Sequence, residues 1–254
     1  MKITFTLEAD SEIRLPRYHN HILQGWLYNQ ISNEKFRAFL HDQGYRYEKR
    51  AFRLFTFSRL QGKFSVDREN QEFVFSSPVK LSIASPLDDL LQDVVNTILC
   101  GSGSRLGRQK VRIKTVQIDN YPILKQDKRC WKIRTLSPIV VYSTFERMGR
   151  KKTHYYGVTE PEFAELLRQN LLKKSKVMME YGLGDKLELR GDFKIRPLYS
   201  PVHKGETAIY YKNFLIKGHM GVFEVECAPD WLKLALDTGL GSKNAQGFGM
   251  VEVV

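Results

Sequence analysis

The sequence is poor in cysteine and contains no long hydrophobic run. Its three cysteines, Cys100, Cys130 and Cys227, lie far apart and form no Cys-x-x-Cys pair. Neither a disulfide framework nor a structural zinc site is therefore indicated. No stretch of about 18 apolar residues is present, which argues against a membrane-spanning helix. Residues 1–10 alternate like a strand rather than a signal peptide. We therefore expect a protein of the reducing cytoplasm that uses no metal and no other cofactor.

The motifs of several common enzyme classes are also absent. The sequence has no Gly-x-Ser-x-Gly, no His-Glu-x-x-His, no nucleotide-binding motif and no paired carboxylates at a metal-binding spacing. Acidic residues are fewer than basic ones. The 28 Asp and Glu and the 40 Lys and Arg give a formal charge of +12. Such an excess predicts a polyanionic partner, with nucleic acid favoured and an anionic membrane surface as the competing interpretation.

Glycine is concentrated near the end of the chain, in the segment Gly239–Gly249, called the glycine loop below. Two Gly-x-Gly pairs flank five residues that include Lys243, Asn244 and Gln246. A predicted helix precedes this loop and a predicted strand follows it, which is the reverse of the order in nucleotide-binding loops. Glycine permits tight bends and close backbone approach to a ligand, and successive N–H groups can bind an anion.

Two interpretations of the glycine loop stay open. It is either an RNA-binding loop or a turn that binds nothing. On the first interpretation, alanine at Gly247 or Gly249 weakens RNA binding more than it destabilises the fold. The candidate RNA-binding residues are then Gly239, Gly241, Lys243, Asn244, Gln246, Gly247 and Gly249.

Basic residues alternate with apolar ones in two predicted strands. In residues 109–118, Lys110, Arg112 and Lys114 lie opposite an apolar face, and in the second half Lys194 and Arg196 flank Ile195. Such charges either keep an edge strand soluble or bind backbone phosphates. We take all five cations as candidate RNA contacts.

The same order of elements occurs twice along the chain. Strand, helix, strands, helix and strand follow one another on each side of the polar, proline-containing segment 120–129. This order predicts an α+β fold of two tandem ferredoxin-like domains, residues 1–122 and 123–254, an arrangement that RNA-recognition modules also use.

Tyr28 and His41 lie away from the predicted core faces of two neighbouring helices, about 20–31 and 33–41. Histidine suits proton transfer near neutral pH, and RNA supplies its own nucleophile, although surface Tyr and His are often inert.

The sequence resembles the Cas-six family, the CRISPR-associated endoribonucleases of the repeat-associated RNA-binding superfamily. The resemblance lies in the glycine loop with the following Met-Val and in the segments 23–29, 39–42 and 52–58. It implies that Tyr28 is a general base or positions the 2′-hydroxyl, and that His41 is its acid/base partner. The family lysine falls at or next to Arg53, which is a departure, since arginine stays charged and cannot shuttle a proton. Lys49 and Arg50 are alternatives for the third residue.

The resemblance also implies a function. The expected activity is metal-independent, sequence-specific cleavage of precursor CRISPR RNA within its repeats, which leaves a 2′,3′-cyclic phosphate and a 5′-hydroxyl. The implied setting is the prokaryotic cytoplasm, without membrane association, and the implied further partners are other CRISPR-associated proteins of an interference complex. A catalytically silent repeat-binding module is the alternative. The sequence leaves open whether the protein forms a homodimer.

Overall fold

The structure is a computed structural model that describes residues 1–254 except 102, 127, 148, 184–188, 199–204 and 213. Two antiparallel sheets, each packed against helices, contain nine of the 18 strands in this described part. The α-helices of the described part are α1 Asn20–Tyr28, α2 Glu34–Ala38, α3 Asp88–Cys100, α4 Pro161–Glu180 and α5 Pro229–Thr238. A π-helical turn covers Phe39–Gln43, and 3₁₀ turns cover Pro122–Lys125 and Asn244–Gln246.

The strands of the first half are β1 Lys2–Glu8, β2 Ile13–Pro16, β3 Tyr45–Tyr47, β4 Arg50–Phe52, β5 Thr56–Phe57, β6 Phe64–Asp67, β7 Glu72–Phe75, β8 Val79–Ala84, β9 Ser104–Leu106 and β10 Gln109–Asp119. Those of the second half are β11 Cys130–Thr135, β12 Tyr142–Arg147, β13 Arg150–Tyr155, β14 Lys194–Pro197, β15 Glu206–Tyr211, β16 Phe214–His219, β17 Val222–Glu226 and β18 Val251–Val253.

The first sheet has the strand order β5-β8-β1-β10-β9. Strand β1 lies in its interior, where Phe5 pairs with Leu81 of β8 and with Val116 of β10. Ile3, Phe5 and Leu7 alternate with more exposed residues and are buried, as the period of two predicts. Helix α1 packs on this sheet, with Trp26 in edge contact with Phe5 at 6.1 Å.

The second sheet repeats this topology with the order β14-β17-β11-β18. In both sheets the first and third strands of a strand-helix-strand-strand-helix-strand unit lie in the centre, between the second and the fourth. Trp131 and Phe223 lie in its core, and Phe163 of α4 stacks on Phe223 at 6.5 Å. The predicted fold class, α+β with two tandem ferredoxin-like domains, is thus confirmed. The predicted boundary at residues 122 and 123 falls in the 3₁₀ turn between the sheets.

Several local boundaries differ from the sequence prediction. Helix α1 ends at Tyr28 rather than near residue 31, and the Gln30 side-chain amide donates to Trp26 O at 3.0 Å just past its end. The second predicted helix becomes α2 and a π-helical turn, which stops at Gly44 with φ +66°. The predicted strand that carries Lys194 and Arg196 is β14, Lys194–Pro197. The chain reverses between β15 and β16 at Lys212, where φ is +51°.

Helix α4 of the second half also contacts the first half. The Tyr181 hydroxyl accepts a hydrogen bond from the backbone N–H of Arg46 at 3.2 Å, and its ring meets that of Tyr45 at 5.2 Å. Lys173 forms an ion pair with Glu48 at 2.6 Å. These contacts join α4 to the β3–β4 hairpin.

Among the described residues, no helix has the length and apolar character needed to cross a lipid bilayer.

Candidate functional site

One face of helix α1 packs against the glycine loop. Asn20, Gln24 and Tyr28 follow one another at four-residue spacing and therefore share this face. The Asn20 amide donates to the carbonyl oxygens of Gln246 and Gly247 at 2.9 and 3.2 Å, and the Gln24 amide donates to Ala245 O at 2.7 Å. The face that sequence periodicity assigns to solvent is thus the face that contacts the second half of the chain.

The three predicted catalytic residues, Tyr28, His41 and Arg53, meet at the backbone of Leu40 and His41. The Tyr28 hydroxyl donates to Leu40 O at 3.4 Å, and its ring contacts the His41 ring edge-on at 5.5 Å. The Arg53 guanidinium donates to Leu40 O at 3.1 Å and to His41 O at 3.0 Å. The structure therefore brings Tyr28, His41 and Arg53 together, while their catalytic roles stay predictions.

The β3–β4 hairpin explains why Arg53 reaches this peptide. Tyr45 pairs with Phe52, which places Arg53 beside Gly44 at the base of the hairpin. Gly44 has φ +66°, and a Cβ there would lie 2.7 Å from Phe52 O. Only glycine fits this junction without strain. The alternatives Lys49 and Arg50 lie at the turn end of the same hairpin, both exposed, so the structure favours Arg53 on position.

Burial determines the ionisation of Tyr28. Removal from water raises the pKa of Tyr28 to about 12, and the nearby positive charge of Arg53 opposes this shift only in part. Its hydroxyl therefore stays protonated at neutral pH. His41, in contrast, is exposed over 62% of its side chain, and its Nδ1 lies 2.6 Å from Asp42 Oδ1. When Nδ1 donates to that carboxylate, Nε2 is left as the nitrogen that accepts a proton.

The four glycines of the glycine loop are buried and have positive φ, from +71° to +83°. A Cβ on Gly247 would lie 2.6 Å from the Phe57 ring, and a Cβ on Gly249 would clash with Leu240 O. The N–H groups of Gly247 and Gly249 donate to Asn244 O at 3.0 Å and Pro138 O at 2.8 Å, so they are occupied within the protein. These clashes favour the interpretation of the loop as a packed turn, while the effect of alanine here on RNA binding relative to folding stays a prediction.

The polar residues of the glycine loop divide into inward and outward ones. The Asn244 amide donates to Leu240 O and Phe248 O at 3.2 and 3.1 Å, which closes the loop on itself. Lys243 lies at the surface side, 5.3 Å above the Tyr142 ring, and burial lowers its pKa. Gln246 is partly buried. Contact of Lys243 with RNA stays a prediction.

A buried lysine that the sequence analysis did not select binds carbonyl oxygens at the start of the glycine loop. Lys174 of α4 is 2% exposed, and its ammonium donates to the carbonyl oxygens of Thr238, Gly239 and Gly241 at 3.3, 2.6 and 3.4 Å. Burial lowers the pKa of Lys174 to about 7, since charge is disfavoured away from water. The signal in the sequence was only a lysine on the apolar side of a helix.

Most of the predicted strand cations are paired with carboxylates. Arg112 contacts Asp10 at 2.8 Å and Lys114 contacts Glu8 at 3.1 Å, while Lys110 is exposed. Lys194 pairs with Glu226 at 3.6 Å and Arg196 with Glu224 at 2.7 Å. These pairs favour the interpretation in which the charges keep the strands solvated.

The β12–β13 hairpin carries a second set of cations that the sequence analysis did not select. Arg150, Lys151 and Lys152 are exposed, and the structure gives them no ion pair within the described residues. At the base of the hairpin the rings of Tyr142 and Tyr155 lie 5.7 Å apart, next to Lys243. A basic and aromatic surface therefore extends from the glycine loop along this hairpin.

The two ferredoxin-like domains, joined through a glycine loop, define a protein of the tandem ferredoxin-like class. Within that class the sequence is more specific, since residues 120–253 match the family model for CRISPR associated protein Cas6, C-terminal. The match covers more than half of the chain, which therefore belongs to the Cas6 family, as the resemblance indicated.

Relatives match over nearly the whole chain. The CRISPR-associated endoribonuclease Cas6 1 of Methanocaldococcus jannaschii is 26% identical over 253 residues, 99% of this chain and 92% of the relative. The CRISPR-associated endoribonuclease Cas6 of Pyrococcus furiosus is 26% identical over 255 residues, 97% and 86% of the two chains. A solved CRISPR associated protein Cas6 superposes with a TM-score of 0.76 at 26% identity, over 100% of this chain and 99% of the other. A Cas6-related protein from Pyrococcus furiosus has the same fold, with a TM-score of 0.79 at 22% identity over 100% and 98%.

We predict that Gly249→Ala destabilises the fold by roughly 2–4 kcal/mol, because a Cβ adds steric overlap and a left-handed conformation that other residues adopt at a cost. Gly25→Ala is the matched control. Nothing lies within 4 Å of a Cβ at Gly25 in α1, so alanine should raise stability by about 0.5–1 kcal/mol. Denaturant unfolding of both variants measures this, and equal stabilities would contradict the assignment of the loop as a packing element.

We predict that Lys174→Met lowers stability by about 1–3 kcal/mol at pH 9, because buried carbonyl oxygens lose their donor. The difference should depend on pH. The folded-state pKa, about 7, lies below the ordinary 10.5, so the unfolded chain binds more protons between these values and native stability rises with pH across them. The wild-type advantage should therefore grow from pH 7 to pH 10, and a flat difference would contradict a depressed pKa. Lys176→Met, at an exposed position two residues away, is the control.

Proposed function

We propose that this protein is a metal-independent endoribonuclease that cleaves precursor CRISPR RNA within its repeats. The observation that carries this proposal is the convergence of Tyr28, His41 and Arg53 at the backbone of Leu40 and His41. The names of the two curated relatives include endoribonuclease activity, which supports the reaction class. The repeat RNA is the proposed partner, together with other CRISPR-associated proteins of an interference complex.

The proposed reaction uses the 2′-hydroxyl of the RNA as nucleophile. A bond forms between this oxygen and the adjacent phosphorus, and the bond from phosphorus to the 5′-oxygen breaks. The products are a 2′,3′-cyclic phosphate and a 5′-hydroxyl. The 2′-proton must leave and the 5′-oxygen must gain one, so an imidazole near neutral pH is suited to the transfer.

We infer a different role for each of the three side chains. His41 is exposed, with Nε2 available for proton transfer. Tyr28 acts in its protonated form, because its raised pKa makes a tyrosinate base unfavourable at neutral pH; it positions the 2′-hydroxyl and the His41 ring. Arg53 supplies a fixed positive charge for the phosphorane and holds the backbone of His41 in place. This division of roles avoids the need for a proton-shuttling lysine at position 53.

We predict that His41→Ala lowers the cleavage rate by about 10²–10⁴-fold with little change in RNA affinity. Tyr28→Phe should slow cleavage less, since it removes a single hydroxyl. A 2′-deoxy substitution just upstream of the scissile phosphate should abolish cleavage while binding persists, and EDTA should have no effect. Single-turnover cleavage of labelled repeat RNA measures these rates, with His21→Ala, at an exposed histidine of α1, as control.

Two results would contradict the mechanism. Full cleavage of the deoxy-substituted RNA would exclude the 2′-hydroxyl as nucleophile, and a requirement for Mg²⁺ would exclude metal-independent chemistry. Tight binding of the repeat RNA without any cut by the wild-type protein would identify a silent binding module instead.

A second prediction concerns the path of the RNA. Replacing Arg150, Lys151 and Lys152 with Gln should flatten the slope of log K against log salt by about 0.7 per lost phosphate contact. The matched triple replacement of Lys110, Arg112 and Lys114 should change the slope less, because two of these cations are already ion-paired. Fluorescence anisotropy across a salt series compares the two variants, and the reverse ranking would place the RNA on β10.

A further inference from the structure

A groove at the junction of the two domains combines cations with aromatic rings. It is lined by Arg17, Tyr18, Arg59, Phe64, Phe73 and, from β15 of the second domain, Thr207, and its volume is about 260 Å³. None of its described lining residues is acidic. We call it the Arg59 groove. It adjoins the start of α1, since Asn20 also lines it, and it lies at the opposite end of that helix from Tyr28.

The guanidinium of Arg59 has no partner among the residues that the structure describes. Its backbone N–H donates to Leu136 O at 3.0 Å, which fixes the residue at the domain junction. Within the described residues its side chain has no hydrogen bond and no ion pair, and burial alone lowers its pKa. A partly buried cation without a partner is unfavourable, so the groove is a place where an anion gains more than at an ordinary surface arginine.

Aromatic rings flank this cation. Phe64 is 55% exposed, and its ring lies 5.1 Å from that of Phe73 on the neighbouring strand. Across the groove, Tyr18 meets Tyr210 edge-on at 5.2 Å, with Arg17 above the Tyr18 ring. An exposed ring costs free energy in water and offers a surface on which a nucleobase can stack.

We propose that the Arg59 groove binds one unpaired nucleotide of the RNA, with its phosphate on Arg59 and its base against Phe64. The proposal rests on the proposed function, because it is the RNA substrate that supplies the anion. The groove volume suits one nucleotide rather than a duplex. Cations together with stacking rings and no acidic lining match a single-stranded RNA better than an acidic peptide, which would need no exposed aromatic surface. The site would hold RNA about 12 Å from Tyr28, eight residues of helix away.

The test is an abasic scan of an unstructured CRISPR repeat RNA. In the wild-type protein one abasic position should weaken binding by at least about fivefold, the loss of one stacked base. With Phe64→Ala, affinity for the intact RNA should fall by a similar factor, and the same abasic position should have no further effect. Phe214→Ala is the matched control, since Phe214 is 72% exposed and lies outside the groove; it should leave the scan unchanged.

Arg59→Gln separates binding from structure. No partner is lost, so Tm should stay equal or rise, whereas RNA affinity should fall about tenfold, as for loss of a charge-assisted phosphate contact. A lower Tm with unchanged affinity would overturn the proposal and make Arg59 structural. Unchanged affinity with unchanged Tm would overturn it as well and favour an acidic protein partner. If the losses of RNA affinity caused by the abasic position and by Phe64→Ala add to each other, and the protein still cuts the repeat, the groove proposal is refuted while the proposed function stands. Absence of any repeat binding by the wild type would refute both.

Discussion

The close approach of the glycine loop to helix α1 is the constraint on which the rest of the site depends. A side chain at Gly247 would occupy the space of Phe57 and of the Asn20 amide. Because position 247 has no side chain, Asn20 and Gln24 reach carbonyl oxygens of the loop and fix the helix against the second domain. Tyr28 lies one turn further along the same face. The orientation of the candidate catalytic peptide therefore depends on backbone contacts made about 220 residues away in the chain.

Helix α4 of the second domain contacts both the glycine loop and the β3–β4 hairpin. Its Lys174 satisfies three carbonyl oxygens at the start of the glycine loop. Its C-terminal cap residue, Tyr181, binds the β3–β4 hairpin, whose base carries Arg53. One helix of the second domain thus supports both the loop and the hairpin. Catalytic groups need to be held within a fraction of an ångström, and contacts from two domains provide that restraint here.

Charge pairing, more than total charge, distinguishes the surfaces of this protein. The excess of +12 predicts an anionic partner but not its position. Arg112, Lys114 and Arg196 have carboxylate partners, so an RNA phosphate would have to compete with these. Within the described residues Arg150, Lys151, Lys152 and Arg59 form no ion pair, although Glu146 lies opposite Lys151 in the register of the hairpin. Unpaired charges next to exposed aromatic rings are therefore the features that favour RNA binding.

The sequence by itself determined the order of elements, the two ferredoxin-like halves and the Cas6 resemblance, because hydrophobic periodicity and glycine spacing are local properties. It also selected Tyr28, His41 and the glycine loop. Only the tertiary structure decided that Tyr28 is buried against Leu40, His41 and Phe55, that Arg53 rather than Lys49 or Arg50 meets His41, and that the glycines serve packing. It alone showed Lys174 and Arg59. Periodicity identifies which face of a helix is apolar, but what a polar face contacts depends on pairing between distant segments.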